Sequence, residues 1–219
     1  MLTGCLVEKH AVSWNDYIEE SYPNVPTLFE RAKMAGYSTA LVTGKMKFIT
    51  LTKPGTLDWC FLPKEEPMRD EEVAAEAERI LRDHRPGVLF VHLPNVDTVG
   101  HEQGWGSAAQ IVAIEQADQA VGNIVNVLAQ LELFDTTAIL LTADHGGSGK
   151  DHGEGDPRSQ FIPWIVAAPG LKRDFDLTLA AERRIRIEDT CATVCWLLAI
   201  GAGDQCEGRP VTEIVATAE

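Results

Sequence analysis

The chain has 219 residues, 45% of them apolar, which supports a packed core of one sizeable domain and argues against disorder. Asp and Glu outnumber Lys and Arg by 33 to 19, a formal charge of −14, which argues against a nucleic-acid backbone or an anionic membrane surface as main partner. No apolar run reaches the ~18 residues of a membrane-spanning helix, and no basic-then-apolar leader opens the chain. The five cysteines (Cys5, Cys60, Cys191, Cys195 and Cys206) are odd in number and form no CxxC pair. They describe no disulfide framework and favour a reducing compartment. A cytoplasmic location follows only if Met1 is the genuine start.

In chain order, residues 26–35 (PTLFERAKMA) predict a helix with Pro26 near its start and Gly36 closing it. Residues 38–43 (STALVT) predict a buried strand, and 57–62 (LDWCFL) a weaker one. Over 70–84, Val73, Ala77, Ile80 and Leu81 share one face behind an acidic first turn, the pattern of an amphipathic helix. Pro86-Gly87 breaks it, and VLFVHL at 88–93 is a continuous apolar strand. Ile111, Ile114, Val121, Ile124, Val125 and Leu128 mark a long helix over 107–131. Further strands are predicted at 137–143 and 163–168, and a last helix at 189–200 closed by Gly201. Apolar strands alternating with helices imply an α/β fold, a mostly parallel sheet with helices on both faces. With no repeat or linker in view, 1–219 reads as a single domain.

The chemistry-bearing residues fall just past two predicted strands. The stretch after VLFVHL places Asp97 and His101 in one loop, and the stretch after TAILLTA places Asp144, His145 and His152 in another. Ligand sites in open parallel sheets gather beyond the carboxyl ends of strands, so both loops should meet on one rim. Asp oxygens and His nitrogens suit zinc or a similar divalent metal. Gly100, Gly146 and Gly153 beside these histidines would let the backbone turn and a substrate approach. Each piece alone is ambiguous, because Asp-x-x-x-His also describes a capping carboxylate beside an unrelated histidine. His84, near a helix end, reads as a surface residue, and His92, within a strand, as a satisfied core histidine. Asp151 and Asp156 read as turn-formers. The acidic balance does not exclude a small phosphorylated substrate, since bound metal ions reverse the local field.

Taken together, LPNVDTVGHEQGWGS at 93–107 and LLTADHGGSGKDHG at 140–153 closely resemble the alkaline-phosphatase superfamily, nearest its type I phosphodiesterase/nucleotide pyrophosphatase and sulfatase-like branch. The likeness continues through TGCLVEKHAVSWN at 3–15, PTLFERAKMAGYSTALVTGK at 26–45, PWIVAAPG at 163–170, EDTCATVCWLLAIG at 188–201 and EGRPVTEI at 207–214. It implies a two-metal hydrolase of phosphoric esters. One ion, zinc in the usual case, would take Asp97, His101 and His152; the second would take Asp144 and His145. Asn15 matches the residue that donates to a phosphoryl oxygen, although it also fits a turn before Asp16 and Tyr17. Trp14, Tyr17 and Trp105 are aromatic candidates for a leaving-group pocket, and equally for packing.

Two departures stand out. The family's first strand, with an Asp ligand and the nucleophilic Thr or Ser, would lie upstream of Met1, so Thr3 is read as structural rather than as the nucleophile. Ala11 stands where the family commonly has Gly. The rival expectations are therefore a sulfatase-like hydrolase and a non-catalytic metal-binding remnant.

Overall fold

A computed structural model describes residues 1–64, 66, 68–153, 155–180 and 184–216. The N-terminal segment holds one helical turn, α1 (Val7–His10), which ends on Ala11 in the left-handed region at φ 58°. That conformation favours glycine, which gives the alanine departure a local backbone cost. Helix α2 (Leu28–Met34) is shorter than expected, and Pro26 lies outside it. Thr27 is the cap: its hydroxyl accepts from Glu30 N at 3.3 Å, and Glu30 Oε2 accepts from Thr27 N at 2.9 Å.

Strand β1 (Thr39–Thr43) follows, then a 3-10 helix over Met46–Leu51 and the short strand β2 (Trp59–Phe61). Helix α3 (Asp70–His84), strand β3 (Val88–His92) and helix α4 (Asn95–Gln103) come next. Helix α5 (Ala108–Gln130), strand β4 (Ile139–Thr142), the turn of helix α6 (Pro157–Gln160) and strand β5 (Trp164–Ala167) complete the strands. Helices α7 (Leu177–Ala180) and α8 (Asp189–Leu197) lie near the C-terminal end. Helix α8 closes at Ala199, left-handed at φ 55°, rather than at Gly201.

The strands form two sheets. One is parallel with order β2-β1-β3, and in the other β4 and β5 run antiparallel. The parallel sheet and its helices meet the α/β expectation, and the direction of β5 is the exception. Alternating side chains of β1 feed two cores. Ala40 and Val42 pack with Val73, Ala77 and Ile80 of α3, while Leu41 packs with Leu28, Phe29, Ala32, Cys191 and Cys195 of α2 and α8. Helices thus cover both faces of β1, and all five of its residues are buried.

Helix α5 joins the two sheets. Val127 and Leu128 pack with Leu81 of α3, and both Leu89 of β3 and Ile139 of β4 rest on that cluster. The first half of α5 departs from its apolar pattern. Ile111 and Ile114 are exposed, whereas Gln110 and Ala113 are buried. Gln110 faces α4 there, where its amide donates to Val96 O at 3.2 Å. Among the described residues, no helix is long and apolar enough to cross a membrane.

Candidate metal centre

The first correction concerns Asp97 and His101, which lie on helix α4 and not in a loop. Two buried polar side chains hold that helix. Asp70, at the start of α3, accepts from Asn95 N at 3.0 Å. Gln110 donates from Nε2 to Val96 O at 3.2 Å and accepts from Gly106 N at 2.7 Å. The four-residue spacing then places Asp97 and His101 on one helix face. His101 Nε2 lies 3.4 Å from Asp97 Oδ1.

The loop after β4 brings the remaining residues to the same place. His145 Nε2 lies 3.7 Å from Asp97 Oδ1 and 3.7 Å from Asp144 Oδ2. The His145 and His152 rings stack with centroids 3.7 Å apart, and His152 lies 5.0 Å from His101. One ligand atom each from Asp97, His101 and His152 fall within 4.8 Å of one another.

The donor chemistry fits a metal. Asp97 Oδ1 is buried without a hydrogen-bond partner, an arrangement that is costly unless a cation meets it. Nδ1 of His101 faces Lys150 O at 3.0 Å, and Nδ1 of His145 faces Gly146 O at 2.9 Å. A proton on each Nδ1 satisfies those carbonyls and leaves Nε2 free as a ligand atom. Burial opposes charge on Asp97, but the Lys45 ammonium, followed by the two imidazoles, holds the carboxyl below its usual range.

Lys45 is the residue that sequence reading missed. Its Nζ lies 2.5 Å from Asp97 Oδ2, and it follows β1 as Asp97 follows β3. The signal was present, since Lys45 ends the family-like stretch 26–45 and sits just past a buried strand. It also lines a cleft of about 300 Å³ with Asn15, Asp16, Tyr17, Met46, Lys47 and Glu66. Asn15 thus lines a cleft in which the three histidines take no part. Its Oδ1 accepts from Lys47 Nζ at 2.7 Å, and Lys45 is the link between cleft and cluster. Burial, then the neighbouring Lys45 charge, pulls the Lys47 ammonium below its ordinary value.

The aromatic candidates divide. Tyr17 lines the cleft, and Trp14 is half-buried outside its lining. Trp105 packs edge-on against His101 with centroids 4.9 Å apart. It occupies the space a side chain at Gly100 or Gly147 would need: a β-carbon on Gly147 would fall 2.2 Å from its ring. Gly146 is likewise held by close approach, to Arg158 O at 2.1 Å from such a carbon, whereas Gly153 faces open space.

The other assignments fall into place locally. Thr3 is buried, and its hydroxyl accepts from Cys5 N at 3.2 Å. His92 contacts the Thr43 hydroxyl at 3.3 Å and the Phe48 ring, and burial pushes its imidazole down to about 4. His84 ends α3 exposed and stacks on Trp59. Asp151 Oδ1 accepts from His152 N at 2.7 Å, and Asp156 caps α6 through Arg158 N.

Comparison with known proteins identifies the family and the fold. The profile of the type I phosphodiesterase/nucleotide pyrophosphatase family matches residues 6–155. GPI ethanolamine phosphate transferase 1 of Aspergillus fumigatus is 27% identical over 165 residues, 74% of this chain and 15% of that protein. Its Gibberella zeae counterpart is 31% identical over 175 residues, 74% of this chain and 17% of that protein. The chain thus spans about one sixth of the length of these curated relatives.

Among solved structures, an inactive murine ectonucleotide pyrophosphatase/phosphodiesterase 5 in complex with AMP superimposes with TM-score 0.75 at 13% identity. The match covers 98% of this chain and 86% of that one. A protein solved with its substrate D-glucosamine-2-N,6-O-disulfate gives TM-score 0.66 at 12% identity, over 98% of this chain and 68% of that one. The chain belongs to the type I phosphodiesterase/nucleotide pyrophosphatase family of the alkaline-phosphatase superfamily.

Proposed function

We propose that this chain, as a single domain over 1–219, carries a metal-dependent site for cleaving phosphoric esters of the phosphodiesterase type. The observation that carries the reading is the Asp97, His101 and His152 trio with its buried, unpartnered carboxylate oxygen. Two imidazoles and a carboxylate suit zinc, and Asp144 with His145 supplies part of the set for a second ion. Divalent ions held there would supply Lewis-acid charge to a phosphoryl oxygen and lower the pKa of an attacking hydroxyl.

The chain's own groups bind and orient the substrate, and the nucleophile is not among them. Lys45 keeps Asp97 ionised and adds positive charge at the mouth of the cleft. Asn15 and Lys47 present donors to a phosphoryl oxygen of a small phosphorylated substrate, and Tyr17 offers its ring to the leaving group. Thr3 is not the nucleophile, because its hydroxyl is engaged inside the fold. A transferase reading shares every one of these steps and differs in the acceptor, an alcohol in place of water. The names of the curated relatives favour that second reading.

The test uses the purified chain with zinc, bis-p-nitrophenyl phosphate and p-nitrophenyl sulfate. Turnover of the phosphodiester, together with metal affinity reduced by at least about 100-fold in Asp97→Ala, is expected. Preference for the sulfate would favour a sulfatase-like enzyme instead. Metal binding without turnover of either ester would sink the hydrolase reading and leave a metal-binding protein.

A further inference from the structure

Of the three histidines at the metal centre, His152 is the one whose ring no hydrogen bond holds. Nδ1 of His101 and Nδ1 of His145 each face a main-chain carbonyl, at 3.0 Å and 2.9 Å. The His152 ring makes no hydrogen bond or ion pair among the described residues, and only its main-chain N–H is engaged, by Asp151. A metal-binding histidine ordinarily fixes its ring through the second nitrogen, so another contact must orient this one. Packing is what remains. The rings around it are those of His145, His101 and Trp105, with centroids 3.7, 5.0 and 6.0 Å away.

Trp105 is built into that position. It stands between Gly104 and Gly106, at φ 99° and 77°, conformations that side chains rarely allow, so the chain turns sharply on both sides of it. Its N–H donates to Gly149 O at 2.6 Å, which ties the end of α4 to the loop carrying His145 and His152. Its indole wedges between the same two segments. A β-carbon on Gly100 of α4 would come within 2.9 Å of the ring, and one on Gly147 of the loop within 2.2 Å. The indole meets all three histidines, edge-on to His101 and His152 and tilted at 51° to His145, 6.4 Å away. Aromatic rings at such separations favour edge-on geometry, which gives the contact a direction as well as an area.

We propose that Trp105 is the positioning residue of the metal centre. Its indole, wedged between α4 and the 145–152 loop, keeps the His152 ring turned toward Asp97 and His101 in place of a hydrogen bond. The inference rests on the reading of Asp97, His101 and His152 as metal ligands. Trp105 touches no reacting group in this role and acts through His152.

The experiment measures three properties of the full chain: zinc affinity by chelator competition, the visible spectrum of bound cobalt(II), which reports coordination geometry, and urea unfolding in EDTA. Trp105→Ala should lower zinc affinity at least about tenfold, as the loss of a ligand's support does, and change the cobalt spectrum. Trp105→Phe keeps a ring and should recover most of both. Gly147→Ala, whose methyl would displace the indole without removing it, should also weaken zinc, and it decides the matter if Trp105→Ala does not fold. Reduced folding stability with zinc affinity and cobalt spectrum unchanged overturns the proposal, as does an equal loss in Trp105→Phe and Trp105→Ala. A wild-type chain that binds no zinc fails the metal reading itself, and this inference with it.

Discussion

Strand β1 and the β4–β5 ribbon are built from similarly apolar residues, yet they are buried to very different extents. Every residue of β1 is covered, by α3 on one side and by α2 and α8 on the other. In β5, Trp164 and Val166 are half-buried while Ile165 is 58% exposed. The parallel sheet carries stability, and the ribbon mainly aims the loop holding Asp144, His145 and His152 at Asp97. Residues of one region should therefore answer to folding measurements, and those of the other to metal and substrate.

The largest expected effect is in the buried sheet. Leu41→Ala removes a side chain that is 0% exposed and should cost about 2–5 kcal/mol in urea unfolding. A loss near zero would mean that β1 is not the spine of the fold.

His92 sharpens the contrast, because it belongs to the sheet but lies against the metal centre. Burial depresses its imidazole from 6.5 to about 4. Over that interval the unfolded chain binds the proton and the folded chain does not. Stability is therefore complete above pH 6.5 and falls as the pH drops towards 4, by about 3 kcal/mol for this one group. Urea unfolding in EDTA across that range measures it, and His92→Gln should flatten the acid limb.

A smaller effect, seen only in turnover, is expected at the cleft. Asn15→Ala should lower turnover about tenfold, less than a buried oxyanion donor would, because Asn15 is open to water. Metal affinity and unfolding should stay unchanged; a shift in either would place Asn15 in the scaffold. The smallest effect is Ile165→Thr, expected to change stability by less than about 0.5 kcal/mol because the side chain is already in solvent.

Most elements were legible because their signals are local. The acidic start and apolar stripe of α3, the unbroken run VLFVHL and the Asp-His pairs past strands all lie within a few residues of what they predict. Local signals misled where a partner element decided the outcome. Asp97 and His101 looked like loop residues because Gly100, Gly104 and Gly106 dilute the helical pattern. Helix α4 forms because Asp70 accepts from Asn95 N and Gln110 holds Val96 O, groups far along the chain or across a helix pair. Ile111 and Ile114 mark the long helix in sequence, yet both are exposed, and Gln110, bonded to Val96 O of α4, is buried instead.

By itself, the sequence determined the family, the alternation of strands and helices, and the six residues Asn15, Asp97, His101, Asp144, His145 and His152 worth testing. These follow from residue type and short spacing, which a chain carries wherever it goes. Only the tertiary structure decided that Asp97, His101 and His152 form one tight trio and that Lys45 stands against Asp97. Each of those depends on residues far apart in the chain, 52 positions in the case of Lys45 and Asp97. No pattern along the chain encodes that directly.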